Sequence, residues 1–449
     1  MRAITLHLSS RAADVERWSR GEIAGEVVKE NSGRTIWRVP AGAPALYVKR
    51  FPRELLRDRA RKEAGMLQAL EKAGIPCPRL VATARDREGS YILTEEIAPA
   101  AILQQELAQP GSRPLLAALG LLARRLHDAG FEHLDFHAGN ILVKGRELFV
   151  LDVHRARRGK ALSRARRLDG VAFMAMSFSE LLPLTDLLRF FRAYGLGKRE
   201  CLSAWDRLRR LRDRYYRGRT ERCFKEGTGF GVKGRLMFRK GADLEGVLRA
   251  VGARDSVLVK EKGSESLRRL GPIFVKRSKR ARSIWRNGHG FEVRHIDTPR
   301  LHAWGGPWVA GEWIEAPDLY ACVREKFPRM GRAARDGFLS RLARAVRRMH
   351  DRGVFHADLK AANVIVTEAK FHIVDLDRVR FSLDVAEKDR IFNLAQLNAS
   401  VTPPLTRTDR LRALRYYFGR CRPTSEPRWV REIMRVTIAR AHHWPERTP

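Results

Sequence analysis

Apolar and polar residues alternate along this chain in two rhythms, and the rhythms change in the same order in each half. Apolar runs rich in β-branched and aromatic residues predict strands at Ala45-Leu46-Tyr47-Val48-Lys49 and Ile273-Phe274-Val275-Lys276, each closing a β-rich stretch. In the first half a helical period follows over Arg57 to Lys72, with Ala60, Ala64, Leu67 and Leu70 on one face, then a strand at Ser90-Tyr91-Ile92-Leu93-Thr94. An amphipathic helix comes next, with a stripe of Leu115, Leu119, Leu122 and Leu126; its counterpart carries Phe338, Leu339, Leu342, Val346 and Met349. A loop leads into a hairpin of Ile141-Leu142-Val143 and Phe149-Val150-Leu151 around Lys144-Gly145, and helices finish the half.

The parallel extends to the residues themselves. Leu126-His127-Asp128-Ala129-Gly130 reappears 223 residues later as Met349-His350-Asp351-Arg352-Gly353, and Thr185-Asp186 reappears as Thr408-Asp409. Upstream, Leu70-Glu71 to Ile75 matches Phe291-Glu292 to Ile296, Pro78-Arg79-Leu80 matches Pro299-Arg300-Leu301, and Val28-Lys29-Glu30 resembles Val259-Lys260-Glu261. The glycines Gly227, Gly229, Gly231 and Gly234 interrupt the pattern between the copies. Two domains in tandem are expected, residues 1–225 and 226–449.

The loop after each amphipathic helix carries the chemistry. It reads His133-Leu134-Asp135-Phe136-His137-Ala138-Gly139-Asn140 in one half and His356-Ala357-Asp358-Leu359-Lys360-Ala361-Ala362-Asn363 in the other, and each hairpin exits at an aspartate, Asp152 or Asp375. A carboxylate that can take a hydroxyl proton, with an amide and a second carboxylate that can hold Mg²⁺, are the side chains phosphoryl transfer needs. Asp135 and Asp358 are the candidate bases, and Asn140 with Asp152, and Asn363 with Asp375, the candidate metal ligands. One such motif could be an Asx-rich turn; two copies of equal spacing in equal settings favour a site. Asp377 competes with Asp375, and the repeat offset favours Asp375.

Lys49 and Lys276 end strands from which a cation could reach nucleotide phosphates, although a lysine there can also guard a sheet edge. Glu63 could orient Lys49 by an ion pair or stand on a solvated helix face; the second half puts Ile284 opposite it, and Glu292 aligns with Glu71 instead. Lys360 could neutralise a transferring phosphoryl group, and His137 in the same place would do so less well. His133, His356, His127 and His350 read as braces. Asn31-Ser32-Gly33-Arg34 and Lys262-Gly263-Ser264 are the candidate phosphate loops; no GxGxxG or GxxxxGK[ST] follows a strand, which excludes a P-loop enzyme.

A formal net charge of +37 favours a polyanionic partner or an anionic membrane face, or reflects arginine-rich solvated helices in both halves. Five scattered cysteines form no metal knuckle or redox pair and fit a reducing compartment. Met1 to Arg11 lacks the apolar core of a signal peptide, and no stretch is apolar enough to span a bilayer, so any membrane contact is expected to be peripheral.

His-x-Asp-x-x-x-x-Asn with an upstream lysine and a downstream aspartate resembles the protein-kinase-like superfamily. Tyr47-Val48-Lys49-Arg50-Phe51, Ala73-Gly74-Ile75-Pro76-Cys77-Pro78 and His133 to Asn140, and again His295-Ile296-Asp297-Thr298-Pro299 and His356-Ala357-Asp358-Leu359, resemble the bacterial lipopolysaccharide core kinases, which include Kdo and heptose kinases. The resemblance implies an α+β fold of two tandem bilobal domains, each with a β-rich N-lobe and a helical C-lobe. It implies ATP as donor, Mg²⁺, and a hydroxyl of an anionic inner-core sugar as acceptor, on the cytoplasmic face of the inner membrane. Asp152-Val153-His154 and Asp375-Leu376-Asp377 depart from the Asp-Phe-Gly of protein kinases, and no Ala-Pro-Glu segment follows, which argues against a peptide substrate. The alternatives are an aminoglycoside- or choline-type phosphotransferase, which the positive charge disfavours, and a partly inactive kinase-like scaffold for envelope assembly. No motif supports nucleic-acid binding.

Overall fold

The computed structural model describes residues 3–31, 34–53, 58–401, 405–419 and 425–441; Met1, Arg2, Ser32, Gly33 and Arg57 of the readings above, and Cys421 of the five cysteines, lie outside them. The chain divides into two compact units, Met1–Arg212 and Asp213–Pro449.

Unit 1 opens with β1 (Ala3–Leu6), α1 (Ala12–Ser19), β2 (Glu26–Asn31), β3 (Arg34–Val39), β4 (Leu46–Pro52), α2 (Arg59–Lys72), β5 (Leu80–Arg85) and β6 (Gly89–Glu95). These strands form one antiparallel sheet in the order β1-β5-β6-β4-β3-β2. Then come β7 (Ala101–Ile102), α3 (Leu103–Glu106), α4 (Arg113–Asp128), β8 (Phe131–Glu132), β9 (Ile141–Lys144), β10 (Glu147–Val150), β11 (Arg157–Arg158), α5 (Arg164–Met176), α6 (Leu184–Tyr194) and α7 (Lys198–Thr220), the last running on into unit 2.

Unit 2 contains β12 (Phe230–Lys233), β13 (Leu236–Arg239), α8 (Leu244–Gly252), β14 (Val257–Lys262), β15 (Glu265–Leu270), β16 (Ile273–Arg277), α9 (Ala281–Val293), β17 (Leu301–Gly305) and β18 (Trp308–Glu312). Its sheet runs β12-β13-β17-β18-β16-β15-β14. The helical part follows: α10 (Leu319–Glu325), α11 (Arg332–Asp351), β19 (Val354–His356), β20 (Val364–Val366), β21 (Phe371–Ile373), β22 (Val379–Phe381), α12 (Glu387–Ser400), α13 (Arg407–Phe418) and α14 (Glu426–Ala441). Each unit is therefore an α+β assembly of a sheet followed by helices.

The pleat sends successive side chains to opposite faces. In β4, Leu46 and Val48 point into a core with Val15 and Trp18 of α1. Lys49 is thereby turned to the face covered by α2, whose Ala60, Ala64, Leu67 and Leu70 are buried as their spacing predicts. That helix starts at Arg59, where the Asp58 carboxylate accepts from Arg61 N at 2.9 Å and caps the first turn. In α4 the stripe is rotated slightly: Leu116, Leu119, Leu122 and Leu126 are buried and Leu115 only partly. In α11, Ala343 is buried and Leu342 packs at the edge of the core.

The two sheets share their register. Lys49 lies opposite Ile36 and Ile92, and Lys276 opposite Leu267 and Val309. A bulge interrupts the outer pair at the same point in each, between Val27 and Lys29 and between Leu258 and Lys260.

Two glycines fix the approach to the motif loops. Gly130 and Gly353 follow α4 and α11 with φ of +80° and +72°. A Cβ there would lie 2.1 Å from Gly159 O and 1.8 Å from Ser382 O. Gly353→Ala is expected to destabilise unit 2 by about 2 kcal/mol or more, because both the backbone conformation and the space are closed to a side chain. Gly337→Ala, on α11 with nothing but the end of Arg341 within 4 Å, should be neutral or stabilising. Denaturant midpoints of the two variants check this; equal midpoints would overturn it.

Candidate active site

The motif loop of each unit is held by one buried histidine. His133 Nε2 donates to Leu151 O at 2.9 Å, and its Nδ1 accepts from Asp135 N at 3.2 Å. The residue before Asp152 is thereby pinned to the loop that carries Asp135. His356 does the same with Val374 O at 3.1 Å and Asp358 N at 3.2 Å. Both rings must be neutral to accept at Nδ1, and burial lowers both pKa values. At the loop's end, Asn140 Nδ2 donates to Asp135 O at 2.9 Å and Asn140 O accepts from Leu151 N at 2.9 Å. Asn363 repeats both bonds, to Asp358 O at 2.8 Å and from Val374 N at 3.0 Å. In each unit the side-chain amide is thus tied to the loop backbone, and Asn363 Nδ2 also lies 3.3 Å from Asp358 Oδ2.

Asp152 and Asp375 have left-handed backbones, φ 57° and 63°. Such a conformation is uncommon outside glycine and costs energy that the surrounding structure must hold. In unit 1 the Asp152 carboxylate gathers three donors: Lys49 Nζ at 2.8 Å and His154 Nδ1 at 2.7 Å on Oδ1, and Arg34 Nη1 at 2.5 Å on Oδ2. Lys49 also contacts both oxygens of the buried Glu63 at 2.9 Å. Burial alone would push the Asp152 carboxyl up; the His154 ring, Lys49 and Arg34 outweigh it and hold it below the usual carboxylate range. Glu63, Asp152 and His154 bring three ligand atoms within 4.8 Å of one another.

Unit 2 is built from fewer charges. Lys276 Nζ meets Asp375 Oδ1 at 2.5 Å, its single ionic partner among the described residues. Burial raises and Lys276 lowers the Asp375 pKa, with Lys276 prevailing. No acid of α9 joins them: Ile284 is buried with Trp285 and Leu301, while Glu292 binds Arg239 at 2.7 and 2.5 Å. Lys360 Nζ pairs with Asp358 Oδ2 at 2.9 Å; in unit 1, His137 Nε2 stands 3.8 Å from Asp135 Oδ1. Asp135 and Asp358 are each about one-third exposed, whereas the histidines beneath them are buried.

Lys49, Glu63, Asp152, Asn140 and Asp135 thus lie around one loop-and-hairpin, and Lys276, Asp375, Asn363, Asp358 and Lys360 around another. Sequence reasoning did not single out Arg34 or His154 as neighbours of Asp152. It also missed Asn287, whose Nδ2 donates to Leu376 O at 2.7 Å, and the pair Asn393 and Gln396, which hold the unit 2 loop through His356 O at 2.6 Å and Ala357 O at 2.8 Å. His154 carried a signal, standing two after the metal-type aspartate where the repeat has Asp377. The others came together only through the fold.

A curated relative, the EKC/KEOPS complex subunit BUD32 of Encephalitozoon cuniculi (strain GB-M1), is 27% identical over 128 residues, 28% of this chain and 58% of that protein. The chain therefore matches less than two-thirds of that relative's length. Among solved structures, WaaP in complex with acyl carrier protein is similar at 25% identity over 46% of this chain and 97% of that one, with a TM-score of 0.38. Spectinomycin phosphotransferase APH(9)-Ia, in complex with ADP and spectinomycin, is similar at 12% identity over 44% and 81%, with a TM-score of 0.34. The lipopolysaccharide kinase (Kdo/WaaP) family model matches residues 13–194 and 312–417, which include the Lys49 strand and both motif loops. With more than half of its length matched, the chain belongs to the lipopolysaccharide kinase (Kdo/WaaP) family and is a kinase-like phosphotransferase.

Proposed function

We propose that the chain transfers the terminal phosphoryl group of ATP to a hydroxyl of a lipopolysaccharide inner-core sugar of the Kdo or heptose type, and that unit 1 carries most of this activity. The single observation behind the second clause is Lys49 bridging the buried Glu63 and Asp152. A lysine so fixed presents its charge in one place, which positions phosphate. The family match supports the acceptor class, and it spans strands β2 to β6 of the unit 1 sheet but not the sheet of unit 2.

In this reading Lys49 and Lys276 bind the nucleotide phosphates, Glu63 orients Lys49, and Asp135 and Asp358 hold the acceptor hydroxyl and take its proton. Lys360 keeps the Asp358 carboxylate in place and adds positive charge beside the acceptor. The carboxylate and amide oxygens of Asp152 and Asn140, and of Asp375 and Asn363, are hard donors of the kind Mg²⁺ prefers. When bound there, Mg²⁺ neutralises charge on the phosphate oxygens. Matching register, matching bulges and matching loop bonds favour descent of the two units by tandem duplication, with the repeat itself dividing near residues 225 and 226, beyond the compact-unit boundary at Arg212.

Among the described residues no helix is long and apolar enough to cross a membrane. A net charge of +37 suits a peripheral position at an anionic inner-membrane face, where a lipid-linked acceptor would stand. A partly inactive unit 2 is the second reading, favoured by Ile284 in place of a glutamate.

The test is transfer of radiolabel from ATP to isolated core glycan, set against nucleosides, small amines and generic proteins. Label on the core glycan alone is expected; label on amines alone would replace the acceptor class. Glu63→Gln should lower turnover about tenfold with a small change in melting temperature, because Lys49 keeps Asp152 but loses its second anchor. A wild-type rate from that variant would remove Glu63 from the site.

A further inference from the structure

In unit 2, α13 packs on α11 as α6 packs on α4 in unit 1, and the same offset of 223 residues relates the two pairs. The unit 1 contact depends on small residues. A Cβ at Gly120 would lie 2.7 Å from both Ala193 Cβ and Phe190 O, so α4 sits directly on α6. In unit 2 the corresponding residues are Ala343 and Tyr416, too large for that approach. Past the helix end, Leu196 of unit 1 is buried, whereas its counterpart Gly419 has no side chain to place there. The space left is a cavity of about 360 Å³ lined by Arg344, Arg412, Arg415, Tyr416 and Gly419. That volume lies in the range of small-molecule sites.

The charge around the cavity is uncommitted. Arg344 is exposed and has no ionic partner among the described residues. Arg412 stands 3.6 Å from Asp336 and 3.7 Å from Asp409, and Arg415 3.9 Å from Glu426, all longer than hydrogen bonds. Asp409 is moreover engaged at the start of α13, where its Oδ2 accepts from Thr406 N at 3.1 Å and from Thr406 Oγ1 at 2.7 Å. Other arginines of the same helices are spent on the fold: Arg347 donates to Tyr417 O at 3.1 Å and to Phe418 O, and Arg410 to Asn398 O at 2.9 Å and Val401 O at 2.5 Å. Unit 1 differs here. Arg189, at the place of Arg412, hydrogen-bonds Asp186 directly, and Leu121 stands at the place of Arg344.

Three planar forks of N–H groups and a phenol around one cavity suit a tetrahedral dianion, because each fork can meet two of its oxygens. We propose that this cavity of unit 2 binds a phosphomonoester group, carried by a sugar phosphate or by a lipid headgroup, and that Leu121 and the close Gly120 contact deny unit 1 an equivalent. None of the five lining residues belongs to a motif loop or its hairpin, so this binding is separable from nucleotide binding.

The experiment is calorimetric titration of the full chain with glucose 6-phosphate and with glucose, beside cosedimentation with phosphatidylcholine vesicles containing or lacking phosphatidic acid. Glucose 6-phosphate or the phosphatidic acid vesicles should bind, and glucose and pure phosphatidylcholine should not. Arg344→Leu, which sets the unit 1 residue at an exposed position, should weaken that binding by about ten- to a hundredfold, the range of a charge-assisted hydrogen bond, and leave ADP affinity and melting temperature unchanged. A loss in the glucose 6-phosphate titration places the phosphate on a sugar; a loss confined to the vesicles places it on a lipid. Binding of neither probe, equal binding by the Arg344→Leu chain, or an equal loss of ADP affinity would overturn the proposal. The kinase reading is tested separately, since ADP binding is read on the same chains.

Discussion

Asp135→Asn is expected to lower phosphoryl transfer by about 10²–10⁴-fold, the range of a positioned general base. Asparagine keeps the shape and the backbone bonds to His133 and Asn140, which involve the main chain of residue 135 and not its carboxylate. Nucleotide affinity and melting temperature should therefore hold while turnover falls. Asp358→Asn should cost the whole protein far less, because unit 2 has Ile284 in place of the glutamate that steadies Lys49. It would also free Lys360 from its pairing at 2.9 Å. The measurement is the initial rate of label transfer for each single variant and for the double variant. Full activity in all three would remove both aspartates from the mechanism; a larger loss from Asp358→Asn would move the activity to unit 2.

The second large effect is a loss of stability in mild acid. His127 Nδ1 accepts from Tyr194 Oη at 2.8 Å, and His350 Nδ1 from Tyr417 Oη at 2.8 Å, while His350 Nε2 donates to Asn393 Oδ1 at 3.1 Å. Burial, reinforced by Arg167 near His127 and Arg390 near His350, pushes each imidazole down from 6.5 to about 4. Between those values the unfolded chain binds protons that the native chain refuses. Stability is then complete above pH 6.5 and is lost as pH falls toward 4, by about 3 kcal/mol for each ring. Asp152 adds a term of the same sign at lower pH, since its depressed carboxyl must be protonated only after the unfolded one. Melting temperatures recorded from pH 7.5 to 4.5 should drop steeply. His127→Gln with His350→Gln, which keep polar partners without the titration, should flatten that slope; an unchanged slope would assign it to other groups.

These two networks show how far a linear reading reaches. His127, Asp128, Arg167 and Tyr194 recur as His350, Asp351, Arg390 and Tyr417, all 223 residues on. Repetition alone marked the first members of each set. It could not show that Tyr194 returns across α6 to His127, or that Arg167 reaches Asp128 from α5. In the same way, the spacing around Asp135 and Asp358 foretold the loop and hairpin, whereas the turning of Lys49 away from Leu46 and Val48 is seen in the packing of β4.

The order of strands and helices, the apolar stripes and the paired Asp-to-Asn spacings are local properties. They follow from a pleat of two, a helix of 3.6 residues per turn and the reach of a short loop. The meeting of Arg34, Lys49, Glu63, His154 and Asp152 is not local. These residues come from a hairpin, a strand, a helix and a loop, with Arg34 and Asp152 lying 118 positions apart, and they converge only once the sheet of unit 1 has packed on α2 and both on the motif hairpin. The same packing in unit 2 brings Ile284 to the place of Glu63. Charge at a point in space is a sum over every element that reaches it: the sequence alone placed Ile284 opposite Glu63, but only the tertiary structure brought Arg34 and His154 to Asp152.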